Sequence, residues 1–182
     1  MSTTTPGATI RYTLDGTSPT ASSTVYTAPL AIGNMTVLRA ASFLTGYLTS
    51  DTETATYLFI NDVMTQTRPA SYPTSWGTAP AFPPLGLPSF NAPGDYDIDP
   101  EVVNDPNYTA DFLAGLTAIP TVSVVMNADD LFGAEGIYSH PWERGDLWER
   151  ATSIELIHPD GTPGFQIDAG VRILGNASRQ PM

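Results

Sequence analysis

Seven prolines between residues 60 and 98 (Pro69, Pro73, Pro80, Pro83, Pro84, Pro88 and Pro93) separate two unlike parts of this 182-residue chain. Proline fixes φ and lacks the amide donor, so such a stretch forms neither a long helix nor a central strand. Residues 61–98 are therefore read as an extended connector. Tyr72, Trp76, Phe82 and Phe90 within it predict that it packs against a neighbour and is not a free tether.

Before the connector, residues 8–59 read as short strands. Ala8, Ile10, Tyr12 and Leu14 alternate with Thr9, Arg11 and Thr13, the period of a half-buried strand, and Asp15-Gly16 supplies a turn. A β-prone run at 24–27, the alternating run 35–43 and the run 52–59 follow, each set off by Gly or Pro. Threonine is abundant and helix signals are absent, as in an all-β sandwich.

After the connector the pattern mixes helix and strand. Asp99-Pro100-Glu101 gives an N-cap, a proline at the first helical position and an acidic first turn. Asp105-Pro106 repeats it, and Tyr108, Phe112, Leu113, Leu116 and Ile119 continue at helical spacing until Pro120. Residues 121–126 (TVSVVM) are apolar enough for a buried strand. Residues 151–158 and 165–169 flank a Pro-Asp-Gly turn as a hairpin, and 170–174 predict one more strand. The expected fold is mainly β: a sandwich over 1–60, the connector over 61–98, then a small α+β segment over 99–182 with two short helices and several strands.

Composition excludes several roles. Net charge is −12, and the seven basic residues are all scattered arginines, so counterion release from nucleic acid is unavailable. No apolar run approaches the roughly 20 residues of a membrane-spanning helix, so no membrane insertion is expected. There is no cysteine, hence no disulfide or thiolate metal site. The N-terminal residues lack the basic and apolar regions of a signal peptide, so any export is directed from outside this sequence.

Two stretches resemble known families. Residues 6–20 (PGATIRYTLDGTSPT), with Val25-Tyr26, Pro29-Leu30 and Leu38-Arg39-Ala40, resemble the chitobiase/β-hexosaminidase C-terminal-type module as far as Tyr57. That resemblance implies an immunoglobulin-like sandwich serving as an accessory in secreted or surface proteins. Only residues 1–5 stand where such modules place a first strand, so that strand is expected to be clipped. The second part resembles the amino-terminal region of CotH-type proteins, the spore-coat kinase family. Its residues are the weak match at 82–99, then Asp99 to Pro106, Ile119 to Val125, Asp130-Leu131-Phe132-Gly133, Gly136-Ile137-Tyr138, Trp148-Glu149-Arg150 and 170–179. In that family the last segment precedes a basic strand and the acidic residues holding metal and nucleotide. The sequence ends before them, so the resemblance implies an origin and not kinase activity.

Candidate chemistry is sparse. Asp95, Asp97, Asp99 and Glu101, with Asp129 and Asp130, are the oxygen donors that a Ca²⁺ or other divalent cation would use, although no cofactor is required. Pro100 and Pro106 break the EF-hand template, and helix capping by Asp99, dipole complementation by Glu101 and solvation of the others are the favoured account of the 95–101 cluster. Arg172, Gly175, Ser178 and Arg179 form a candidate anion- or nucleotide-binding loop. His140 and His158 lack the spacing of a zinc site and no Gly-x-Ser-x-Gly elbow accompanies them. Trp76, Trp142 and Trp148 offer sugar-stacking platforms, weighed against ordinary packing. Asn34, Asn107 and Asn176 sit in N-x-Ser/Thr sequons.

These readings converge on an accessory, structural or weakly carbohydrate-binding fragment of a larger bacterial surface or secreted protein, with no catalytic residues of its own. The competing reading is a small metal-assisted phosphoester or ester hydrolase using the acidic residues. Expected partners are carbohydrate or other surface proteins, together with a second copy joined through unpaired strands.

Overall fold

A computed structural model describes residues 1–175 except 80, 82 and 87. Phe82, Asn176, Ser178 and Arg179 thus lie outside the described residues. The described chain is mainly β, as expected: nine strands in three antiparallel sheets, with four short helices.

Strands β1 (Thr9–Thr13), β2 (Thr24–Val25), β3 (Thr36–Phe43) and β4 (Glu53–Tyr57) form one sheet in the order β2-β1-β3-β4. Strand β3 carries most of the buried residues of this sheet: Thr36, Leu38, Arg39 and Ala41. After β1 the chain turns at Asp15, whose Oδ1 accepts from the Thr17 amide at 3.1 Å and the Thr17 hydroxyl at 2.6 Å. Gly16 follows with φ +78° and donates its amide to the Val37 carbonyl at 3.1 Å. The Thr17 hydroxyl bond, partly opposed by desolvation, holds the Asp15 carboxyl below its ordinary value of 3.8. A depressed folded-state pKa contributes stability in full above the unfolded value, and that contribution is lost as pH falls through the folded one. Asp15→Asn should therefore flatten the acid limb of a stability–pH curve below about pH 4 and leave the neutral region parallel to wild type. Chemical denaturation between pH 2 and 7 measures this.

Helix α1 (Ile60–Val63) leaves β4, and Asp62 Oδ2 accepts from the Met35 amide at 2.6 Å, tying the exit of the sheet to the entrance of β3. The proline-rich stretch then departs from a simple extended connector. It folds back as a two-stranded ribbon, β5 (Ser75–Ala79) against β6 (Phe90–Pro93), with a bulge between Ser75 and Gly77. Both strands are edges, the position proline tolerates, and Pro93 sits at the strand end opposite Ser75.

Helix α2 (Pro100–Val103) begins as the sequence predicts, with Asp99 Oδ1 accepting from the Glu101 amide at 2.8 Å. The second signature works differently. Asp105 Oδ1 accepts from the Asn107 amide at 2.8 Å in a turn, and α3 (Thr109–Leu116) starts two residues later with no side-chain cap. Strand β7 (Thr121–Val125), helix α4 (Ala128–Phe132), and the hairpin of β8 (Arg150–Ile157) and β9 (Phe165–Val171) follow, with sheet order β7-β8-β9. The separate strand expected at 170–174 is absent: Gly170 and Val171 simply end β9.

Register fixes the two faces of this last sheet. Val122 pairs with Leu156, which pairs with Phe165; Val124 pairs with Ile154, which pairs with Ile167. This apolar face is turned outward, with Val122, Val124, Phe165 and Ile167 exposed by 59%, 55%, 49% and 49%. Strand β7 forms as expected, but its two central valines are not buried. The opposite, polar face meets the N-terminal sheet. Ser123 Oγ and Thr56 Oγ1 lie 2.8 Å apart, and buried Glu155 accepts from the Thr56 amide at 3.2 Å and also from its hydroxyl. Strands β7 and β8 thus meet the N-terminal sheet along β4. Glu155 also covers the edge of β4, which would otherwise present an unpaired amide.

Arg39, only 9% exposed, lies on the same side. Its Nη1 donates to the Gly16 carbonyl at 3.2 Å, Ser18 Oγ at 2.9 Å and Asn127 Oδ1 at 3.5 Å. Asn127 Oδ1 also accepts from the Ser18 amide at 3.0 Å. Burial lowers the Arg39 pKa, while Asp168 and Asp130 oppose that shift. An arginine remains charged regardless.

Candidate functional site

One hollow of the described chain is aromatic in character. The ribbon of β5 and β6 and the loop after α4 bring five rings together: Tyr72, Trp76, Tyr96, Phe132 and Tyr138, with centroid separations from 4.6 to 6.3 Å. Tilted and edge-on arrangements of this kind match the quadrupole preference of aromatic pairs. The connector packs through Tyr72 and Trp76 against Phe132 and Tyr138, whereas Phe90 is exposed.

The loop is strapped back along α4. Ile137 donates its amide to the Asp130 carbonyl at 3.0 Å, Tyr138 to Leu131 at 2.9 Å, and His140 to Gly136 at 3.1 Å. Those bonds place Tyr138, whose hydroxyl donates to the Trp76 carbonyl at 3.3 Å and so ties loop to ribbon. Desolvation raises the pKa of both Tyr138 and Tyr96, which keeps these phenols neutral hydrogen-bonding groups. Trp76, Phe132 and Tyr138, with Pro73, Ser75 and Ser139, line a cleft of about 440 Å³. None of these six residues is charged, and only Ser139 is fully exposed; the others are half-buried.

A second hollow of about 530 Å³ is lined by His140, Glu143, Arg144, Trp148 and Arg172 among others. It contains part of the expected anion-binding loop. Arg172 there is engaged by carboxylates, with Nη1 at 2.7 Å from Asp146 and Nε at 3.4 Å from Glu149. Both pairs are exposed, where such contacts contribute little to stability. Gly175 ends the described chain, and Ser178 and Arg179 are beyond it. Trp148 packs its ring 4.9 Å from His140, and the Arg150 guanidinium carbon lies 5.3 Å from its centroid. Trp142 is half-exposed.

The acidic candidates are dispersed by role. Asp99 caps α2; Asp129 and Asp130 lie in the first turn of α4, with Asp130 Oδ2 accepting from Asn127 Nδ2 at 3.2 Å. Asp95, Asp97 and Glu101 are exposed. Among the described residues, no three His, Asp or Glu side chains come together in a group that could hold a metal ion. His140 Nε2 lies 2.7 Å from the Ala134 carbonyl, and His158 stands at the shoulder of the β8–β9 hairpin.

Sequence reasoning had proposed Trp76 as a platform but not its companions. Phe132 and Tyr138 lie more than 50 residues from it, and no periodicity links them. The available signal was the density of aromatic residues inside a proline-rich stretch.

The N-terminal sheet carries a clear likeness. Residues 1–56 match the family model of the chitobiase/beta-hexosaminidase C-terminal domain. The match covers β1 to β3 and all but the last residue of β4, and includes Arg39 and Thr56, through which the sheet meets the rest of the chain. That domain is an accessory part of carbohydrate-active enzymes. The comparisons give no support to the CotH-type resemblance of the second part. No curated protein and no solved structure matched the chain. No described helix is long and apolar enough to cross a membrane.

Proposed function

We propose that this chain is an accessory, weakly carbohydrate-binding segment of a larger bacterial surface or secreted protein, and not a catalyst. The observation that carries this is the match of residues 1–56 to an accessory domain of carbohydrate-active enzymes. The resemblance of residues 99–179 to CotH-type proteins would make the second part the opening of another unit, joined through residues 61–98. Divalent cations and anions have no assigned role in this reading. The outward apolar face of β7–β9 and the edges of that sheet favour a further contact with a surface protein or a second copy.

Depletion binding tests the reading. The purified chain, incubated with insoluble chitin, cellulose or peptidoglycan, should be removed from solution by at least one of them with a dissociation constant near millimolar. Soluble fragments of the same polymer should compete. Equal recovery in every supernatant across the panel contradicts it.

A further inference from the structure

We infer that the aromatic cleft bounded by Trp76, Phe132 and Tyr138 is a binding site for a neutral pyranoside. The inference rests on the accessory reading above and assigns that activity to a place outside the matched segment of residues 1–56.

Size comes first. A volume of about 440 Å³ lies in the range of pockets that enclose small molecules, of order 300–1,000 Å³. It suits one or two sugar rings and is small for a folded partner.

Charge comes second. In a chain with 19 acidic and seven basic residues, none of the residues lining this cleft is ionisable in the ordinary pH range, and its tyrosine is held neutral by desolvation. A phosphate, uronate or amine would find no counter-charge there, whereas a neutral ligand incurs no such desolvation penalty. The charged hollow around Arg172 offers the reverse, and its arginine already faces Asp146 and Glu149.

Hydrogen-bonding capacity comes third. A pyranose presents a C–H face to an aromatic ring and hydroxyls at its rim, so its site needs rings together with spare donors and acceptors. The rings of Trp76, Phe132 and Tyr138 touch one another and are only partly buried. The Trp76 indole N–H makes no hydrogen bond among the described residues, so it remains a donor for a sugar hydroxyl. Ser139 Oγ donates to the Phe132 carbonyl at 2.9 Å and keeps its lone pairs; the Tyr138 oxygen, donating to Trp76, does the same. Proline-rich peptides also use aromatic grooves. The accessory-domain match of the N-terminal sheet favours the sugar.

The test is a titration of the full ¹⁵N-labelled chain with chitotriose and cellotriose, followed by amide and indole resonances. The Trp76 indole N–H and the amides of Gly77 and Ser139 should shift saturably in the millimolar range. Ser139→Trp, which fills the exposed rim of the cleft where the sugar would lie, should weaken binding at least tenfold with the spectrum otherwise dispersed. Trp76→Phe, which keeps a ring and removes the indole N–H, should weaken it several-fold. Saturable shifts confined to residues 1–56 overturn the cleft while sparing the accessory reading. Depletion onto a polymer without any shift in the cleft does likewise. Shifts produced there by a proline-rich peptide and by neither saccharide also overturn it.

Discussion

Arg39→Ala lowers the free energy of unfolding by about 3 kcal/mol, the larger of two effects expected from single substitutions. The guanidinium is buried between the N-terminal sheet and the segment leading into α4, where Nη1 serves the Gly16 carbonyl, Ser18 and Asn127. Hydrogen bonds from a charged group contribute about 1.5–3 kcal/mol, and their loss removes the donor from the carbonyl of buried Gly16. The aliphatic stem adds a packing loss. For a chain of this size the shift in melting temperature is roughly 6–12 °C. Arg39→Met separates the two contributions, because it keeps the stem and removes the charge. Met loses the same hydrogen bonds, so it should cost about 2 kcal/mol, the difference from Ala being the packing of the stem. Denaturant titration of both variants measures this; equal losses would place the whole effect in the hydrogen bonds.

Gly136→Ala is expected to cost about 2–3 kcal/mol by a different route. A β-carbon there would stand 2.5 Å from the Leu131 carbonyl oxygen, 2.6 Å from its carbon and 2.8 Å from the Gly133 nitrogen. All three are backbone atoms, so no side-chain rotation relieves the clash, and the loop must lift off α4. Overpacking of this kind costs about 1–3 kcal/mol. The lift breaks the bonds that place Tyr138 and should loosen the aromatic cleft as well, visible as a change in tryptophan emission. Gly115→Ala is the control: its added carbon meets nothing within 4 Å, on an exposed position of α3. Removing a glycine from a helix should raise stability by up to about 1 kcal/mol.

What the sequence disclosed was local. The alternation in β1 and β3 and the cap at Asp99 are written in neighbouring residues, and the structure places each where the pattern does. The β8–β9 hairpin was equally legible from its Pro-Asp-Gly turn. Helix α4 was not, because its five residues are too few for a periodic signal. The orientation of β7 was hidden for another reason. Alternation of Thr121, Ser123 and Val125 with Val122 and Val124 defines two faces but not which one meets a neighbour. The bond between Ser123 and Thr56, 67 residues apart, decides it. Arg39 and Asn127 are separated by 88 residues, and Trp76 and Tyr138 by 62, so the buried polar contact and the cleft exist only in three dimensions.

Turnover separates the accessory segment proposed above from a catalyst. The purified chain is assayed on nitrophenyl glycosides, phosphate esters and carboxylic esters, with chelator and then with added Ca²⁺, Mg²⁺ or Zn²⁺. Rates equal to buffer are expected under every condition. Chelator-sensitive turnover above background that disappears in Asp130→Ala would contradict the accessory reading.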